Sequence, residues 1–133
     1  MGSGKNILLA DDESGFLFAA SVALRVAGYR VTVARDGREA LERLADAQAT
    51  GVPVDLLVTD QQMPGMTGTE LIAALHDRGL DVPVAIVTGC GESPSSPVFG
   101  NGGFRGFIEK PLLPGDLVAF LGRIFAASHE EAA

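Results

Sequence analysis

Four short polar groups stand out in a chain of 133 residues: Asp11-Asp12-Glu13, Asp60, Thr88-Gly89 and Lys110-Pro111, each directly behind an aliphatic or β-rich run. If those runs lie side by side, three carboxylates, a hydroxyl and an ammonium converge on one edge. Carboxylates about 4 Å apart repel by roughly 4 kcal/mol per pair at an effective dielectric of about 20, so such a cluster must take up a proton or a cation. All-oxygen ligation with positions left for water favours Mg²⁺. Beside a lone lysine and a threonine hydroxyl, that ion suits the holding of a phosphoryl group. Metal and ammonium take its charge while the hydroxyl donates to an equatorial oxygen. The residue types predict phosphoryl transfer to a carboxylate.

The elements that must bring these residues together are legible as an alternation. Asn6 to Ala10, Arg30 to Ala34, Val54 to Thr59, Val82 to Val87 and Arg105 to Glu109 read as strands. Ser14 to Ala27, Asp36 to Gln48, Thr67 to Arg78 and Pro114 to Ala127 read as helices, with Gly28, Gly51 and Gly79 placed to end three of them. Strands that are nearly continuous aliphatic runs belong to a parallel sheet covered on both faces, so the predicted fold is a doubly wound, three-layer α/β sandwich. In such sheets ligands bind beyond the carboxyl ends of the strands, where the polar groups fall. Between the fourth and fifth strands the expected helix is opposed by Pro94, Pro97, Gly100 and Gly102, and a short turn or loop is predicted there.

Composition narrows the class. Ten basic and seventeen acidic side chains leave a net charge of −7, which repels nucleic-acid backbones and anionic lipid. Neither direct nucleic-acid binding nor membrane insertion is expected. A single cysteine, Cys90, cannot make an internal disulfide, and one thiol with two histidines cannot cage zinc, which points to a reducing cytoplasm. Residues 1–5 carry no signal-peptide pattern and read as a linker or an expression remnant. Residues 6–127 read as one domain, and the tail 128–133 as frayed.

With these residues in register, the chain resembles the receiver domain of two-component response regulators over nearly its whole length. The motifs that carry the resemblance are Asp11-Asp12, Asp60-Gln-Gln-Met-Pro-Gly-Met-Thr-Gly68, Thr88-Gly89 and Lys110-Pro111, in order. The resemblance implies a flavodoxin-like sheet of strand order 2-1-3-4-5. It implies that Asp60 is the phosphoacceptor, taking a phosphoryl group from the phosphohistidine of a histidine kinase or phosphotransfer protein. Asp12, Asp60 and the Gln62 backbone carbonyl would ligate Mg²⁺, with Asp11 acting through a water. Lys110 would pair with the phosphoryl oxygens, Thr88 would move to bond them, and Phe107 occupies the aromatic switch position. Gly89 would leave the phosphoryl room, while Gln62 and Cys90 would flank the water that later hydrolyses it. The run around Asp60 and the Thr88-Gly-Cys90 stretch look like receivers at the C-terminal end of hybrid sensor histidine kinases, with a stand-alone regulator the near alternative.

Blander readings compete at several positions. Asp11-Asp12-Glu13 alone could be a helix N-cap with favourable dipole charges. His76 and His129 read as solvated surface residues. On a helical wheel Phe16, Ala19, Ala20, Ala23, Leu24 and Ala27 form the buried stripe, leaving Phe18 outside with Ser21 and Arg25. Phe18 and Val22, with Leu17 as a further candidate, and Leu112 and Leu113 after the last strand, are the expected partner surface; a homodimer is left open. Two rivals share the residues: a Mg²⁺-dependent phosphatase with an aspartate nucleophile, and a receiver-like binding module that takes no phosphate. The first usually carries Asp-x-Asp after its first strand, whereas Asp11 and Asp12 are adjacent.

Overall fold

In a computed structural model of the chain, residues 4–89, 104–110 and 112–132 are described. The strands are β1 (Asn6–Ala10), β2 (Arg30–Ala34), β3 (Leu56–Asp60), β4 (Val84–Thr88) and β5 (Phe104–Glu109), and the helices α1 (Ser14–Val26), α2 (Gly37–Thr50), α3 (Gly68–Asp77) and α4 (Pro114–Ala132). All neighbouring strands pair in parallel in the order β2-β1-β3-β4-β5. The predicted doubly wound sheet and its strand order are therefore present. The expected loop in place of a further helix, and with it Cys90, lies in residues 90–103, outside the described residues.

The aliphatic runs are continuous because alternate residues feed two cores. Ile7, Leu9, Leu56, Val58, Ala85 and Val87 pack with Leu17, Ala20 and Leu24 of α1 and Leu117, Leu121 and Ile124 of α4. Leu8, Ala10, Leu57, Val84 and Ile86 pack on the other face with Ala40, Leu41 and Leu44 of α2 and Leu71, Ile72 and Leu75 of α3. Burying each leucine, isoleucine or valine among them contributes about 1.5–3 kcal/mol. A one-residue slip would exchange the two faces of a strand, so packing fixes the register and with it the height of each strand end.

Several element boundaries differ from the sequence reading. β3 and β4 start two residues later than expected and end one later, so Asp60 and Thr88 close their strands instead of following them. Pro83, which has no N–H to give the ladder, accounts for the late start of β4. Helix α4 continues to Ala132, past Ala127 and through most of the expected frayed tail, in a segment of alanine and glutamate that favours helix. In α1 the buried face is Leu17, Ala20, Ser21 and Leu24, while Ala19 is exposed. Leu17 is thus core, not partner surface. Ser21 is accommodated inside because its hydroxyl donates to the Phe18 carbonyl at 2.8 Å.

Candidate functional site

The ladder runs past the strand ends and sets the site residues side by side. Asp11 N–H donates to Ala34 O at 3.1 Å, Gln61 N–H to Val87 O at 2.9 Å and Lys110 N–H to Thr88 O at 2.7 Å. Ala10 pairs with Thr59, Asp60 with Val87 and Thr88 with Glu109, so Asp11, Asp60, Thr88 and Lys110 stand within a residue or two of one level across the sheet. Asp11 follows the parity of Ile7 and Leu9, Asp60 that of Leu56 and Val58, and Lys110 that of Ile108, all residues of the α1 and α4 face. Thr88 follows Ile86 on the other face and shares it with Phe107, which pairs with Ile86 and is 45% exposed.

Asp11 and Asp60 are almost fully buried, at 1% and 3% exposure, while Asp12 is exposed beside them. A carboxylate oxygen from each of the three lies within 4.8 Å of the others. The Lys110 Nζ is 3.1 Å from Asp60 Oδ2 and 3.6 Å from Asp11 Oδ2, and it stands 6.0 Å from the centroid of the Phe16 ring. Burial pushes Asp60 above the usual carboxylate range against the opposing pull of Lys110. It does the same to Asp11, where the Glu13 N–H opposes the rise and the charge of Asp60 adds to it. For Lys110, burial alone would lower the ammonium, but its bond to Asp60 and the charges of Asp11 and Asp60 outweigh that and hold it above 10.5.

The capping reading of the acidic run does not fit. Glu13 is the N-cap of α1 and makes no side-chain capping bond, while Asp11 Oδ1 accepts the Glu13 N–H at 2.9 Å. Asp11 Oδ2 and Thr88 Oγ1 are buried without a hydrogen-bond partner among the described residues. Groups of this kind cost about 1–3 kcal/mol each when left unmade. Hard carboxylate oxygens, one of them orphaned, beside a single cation are a donor set that fits a divalent metal taking oxygen ligands. Gln62 N–H donates to Asp60 Oδ1 at 3.3 Å, and Gly89 sits half-buried behind Thr88.

The loop after Asp60 is held by close contacts that no single residue type announces. A Cβ on Gly68 would stand 2.8 Å from the Asp60 carbonyl oxygen, and one on Gly37 would stand 2.7 Å from the Met66 sulfur. Met66 thereby seats the loop on the start of α2. Thr67 caps α3 through a reciprocal box with Glu70. Phe18 is 74% exposed and Val22 is exposed beside it; Leu113 is exposed, but Leu112 turns inward against the core.

A profile of the response regulator receiver domain matches residues 7–121, nearly all of the chain that carries this sheet and site. The chain belongs to the receiver domain family of two-component response regulators. It is 36% identical over 105 residues to the C4-dicarboxylate transport transcriptional regulatory protein DctD of Pseudomonas aeruginosa, covering 79% of this chain and 22% of that protein. It is 32% identical over 120 residues to the phosphate regulon transcriptional regulatory protein PhoB of the same organism, covering 89% of this chain and 50% of that one. The chain therefore spans half or less of these relatives. The solved chemotaxis response regulator CheY4 of Vibrio cholerae superimposes with a TM-score of 0.73 at 31% identity, covering 91% of this receiver and 98% of that chain. Membership separates the receiver from the aspartate-nucleophile phosphatases whose residue types it shares. Among the described residues no helix is long and apolar enough to cross a membrane.

Proposed function

We propose that this receiver is a phosphoacceptor module of a phosphorelay, with Asp60 as the nucleophile. A carboxylate oxygen of Asp60 attacks phosphorus, the bond from phosphorus to the donor imidazole nitrogen breaks, and the phosphoryl group passes to Asp60 as an aspartyl phosphate. The observation that carries this reading is the gathering of three carboxylates within 4.8 Å of one another, with Lys110 bonded to one of them. Asp12, Asp60 and the Gln62 carbonyl would hold Mg²⁺, with Asp11 binding through water. When bound, the ion neutralises charge on the entering phosphoryl group. The Lys110 ammonium takes a further share, trading its bond to Asp60 for one to a phosphoryl oxygen. Thr88 Oγ1, buried and without a hydrogen-bond partner among the described residues, supplies the hydroxyl that bonds a phosphoryl oxygen, and its departure toward the site frees space on the face it shares with Phe107. Gly89 leaves room for the group to enter, and Gln62 stands where it can tune the attack of the water that resets the switch.

The donor is a phosphohistidine on a histidine kinase or phosphotransfer protein in the cytoplasm. Phe18, Val22 and Leu113 are its apolar landing surface, exposed along α1 and just after β5. Incubation with a small acyl phosphate and Mg²⁺, followed by intact mass, tests the assignment. The wild type gains one phosphoryl group and Asp60→Asn gains none; equal labelling of the two would overturn it.

A further inference from the structure

Gln61 follows the proposed nucleophile and has no role in the chemistry above, yet its contacts cinch the loop that leaves Asp60. Its N–H donates to the Val87 carbonyl at 2.9 Å and its carbonyl accepts the Gly68 N–H at 3.0 Å. Its side-chain Oε1 accepts both the Thr69 N–H and the Thr69 hydroxyl, each at 3.0 Å. A mere helix cap is an insufficient account, because α3 already has its own Thr67–Glu70 box.

Peptide planarity gives the clasp a consequence at the site. The Gln61 carbonyl and the Gln62 N–H belong to one rigid plane. That plane is pinned on one side by Gly68 and on the other by the 3.3 Å bond from Gln62 N–H to Asp60 Oδ1. The next carbonyl along the chain is that of Gln62. We infer that Gln61 is a positioning residue, whose bonds to Gly68 and Thr69 hold this peptide plane against Asp60 and so aim the Gln62 carbonyl and the Asp60 carboxylate at a Mg²⁺ ion. The inference rests on the metal-assisted reading above and adds to it a residue that touches neither metal nor phosphoryl group.

The test is a Mg²⁺ titration without phosphodonor, read by backbone amide shifts, alongside metal-free thermal midpoints. Gln61→Met keeps length and loses the acceptor; its half-saturating Mg²⁺ concentration should rise about tenfold, the low end of what losing a group that orients a metal ligand costs. Thr69→Val, which removes one of the two donors, should raise it about threefold, and Thr69→Ser should restore the wild-type value. In the Gln61→Met background Thr69→Val should add nothing. A purely structural clasp would lower the thermal midpoint and leave the Mg²⁺ half-saturation within twofold of wild type, and that result overturns the inference. If Gln61→Met does not fold, the Thr69 pair decides alone. Absence of saturable Mg²⁺ binding in the wild type would instead sink the metal-assisted reading, and the role of Gln61 with it.

Discussion

The two ends of the sheet handle a carboxylate in opposite ways. At the amino end Asp55 and Asn6 exchange backbone and side-chain bonds: Asp55 Oδ2 accepts the Asn6 N–H at 2.7 Å, and the Asp55 N–H donates to the Asn6 carbonyl at 2.7 Å. The Asn6 carboxamide then reaches the Pro53 carbonyl at 3.1 Å. At the carboxyl end Asp11, Asp12 and Asp60 crowd together beside Lys110, and two buried polar atoms have no hydrogen-bond partner among the described residues. The first arrangement is what a protein builds when a polar residue only has to be tolerated. The second carries an uncompensated cost in stability, as the proposed Mg²⁺ site requires.

Substitution at each end should expose the difference. Asp60→Asn abolishes labelling by a small phosphodonor. Asp55→Ala leaves labelling at the wild-type rate and lowers stability by about 1 kcal/mol, the worth of the acceptor lost to Asn6. If Asp55→Ala also slowed labelling, the two ends would be coupled and the contrast would fail.

Next in size is Gly68→Ala. Its methyl group would meet the Asp60 carbonyl oxygen, a backbone atom that cannot swing aside, at 2.8 Å. Overpacking of this kind costs about 1–3 kcal/mol, and urea denaturation measures it. Gly65→Ala, with no atom within 4 Å of the added carbon but a backbone φ of 76°, should cost only the left-handed strain of about 1 kcal/mol. Equal costs at the two positions would mean that the loop yields at Gly68.

Lys110→Met removes the cation while keeping its length. Asp11 and Asp60 would then repel each other without a counter-charge, and the metal-free protein should lose about 1–2 kcal/mol, less than a fully buried pair because the lysine is 32% exposed. Added Mg²⁺ should recover much of that loss, since the ion supplies the charge that the ammonium did. A thermal midpoint that Mg²⁺ does not raise in this variant would argue that the cluster is held by something other than charge balance.

Much of this architecture was legible in the sequence, for identifiable reasons. β1, β3 and β4 are aliphatic on both faces because helices cover both, and the same coverage makes their polar ends conspicuous. That signal singles out Asp11, Asp12, Asp60, Thr88 and Lys110, which the fold brings to one edge of the sheet. The misreadings arose where tertiary contacts outrank pattern. A wheel puts Ser21 outside because serine is polar, yet its hydroxyl finds a carbonyl within its own helix and the residue turns inward. Pattern also begins β3 and β4 at Val54 and Val82, which pack against the core without joining the ladder. Gln61 carried no visible signal, since a glutamine in a loop is ordinary until its partner eight residues on is known. The Gly68 and Gly37 contacts are likewise distances, and a sequence has none.

The smallest expected effect is a pH dependence of the metal-free receiver, whose acid limb reflects the buried carboxylates of the carboxyl end. Burial raises Asp11 and Asp60 above 3.8, the ordinary value. A carboxyl group that binds its proton more tightly when folded gives unfolding free energy a negative slope with pH between its unfolded and folded pKa. Ionisation of the pair thus subtracts from stability at neutral pH, and the penalty lifts as pH falls through the folded values toward 3.8. Lys110, raised above 10.5, acts on the alkaline limb: its contribution is complete below that value and is lost as pH rises through the folded pKa. Asp11→Asn keeps the acceptor for the Glu13 N–H and removes the acid, so it should be more stable than wild type near pH 7 by about 2 °C in thermal midpoint, the gap narrowing on acidification. Saturating Mg²⁺ should reverse the order, because the ion binds the ionised cluster and is displaced by protons as pH falls. Parallel melting curves for wild type and Asp11→Asn at every pH, with and without Mg²⁺, would mean that the buried Asp11 carboxylate is as well satisfied as Asp55, and that the two ends of the sheet differ only in what they look like.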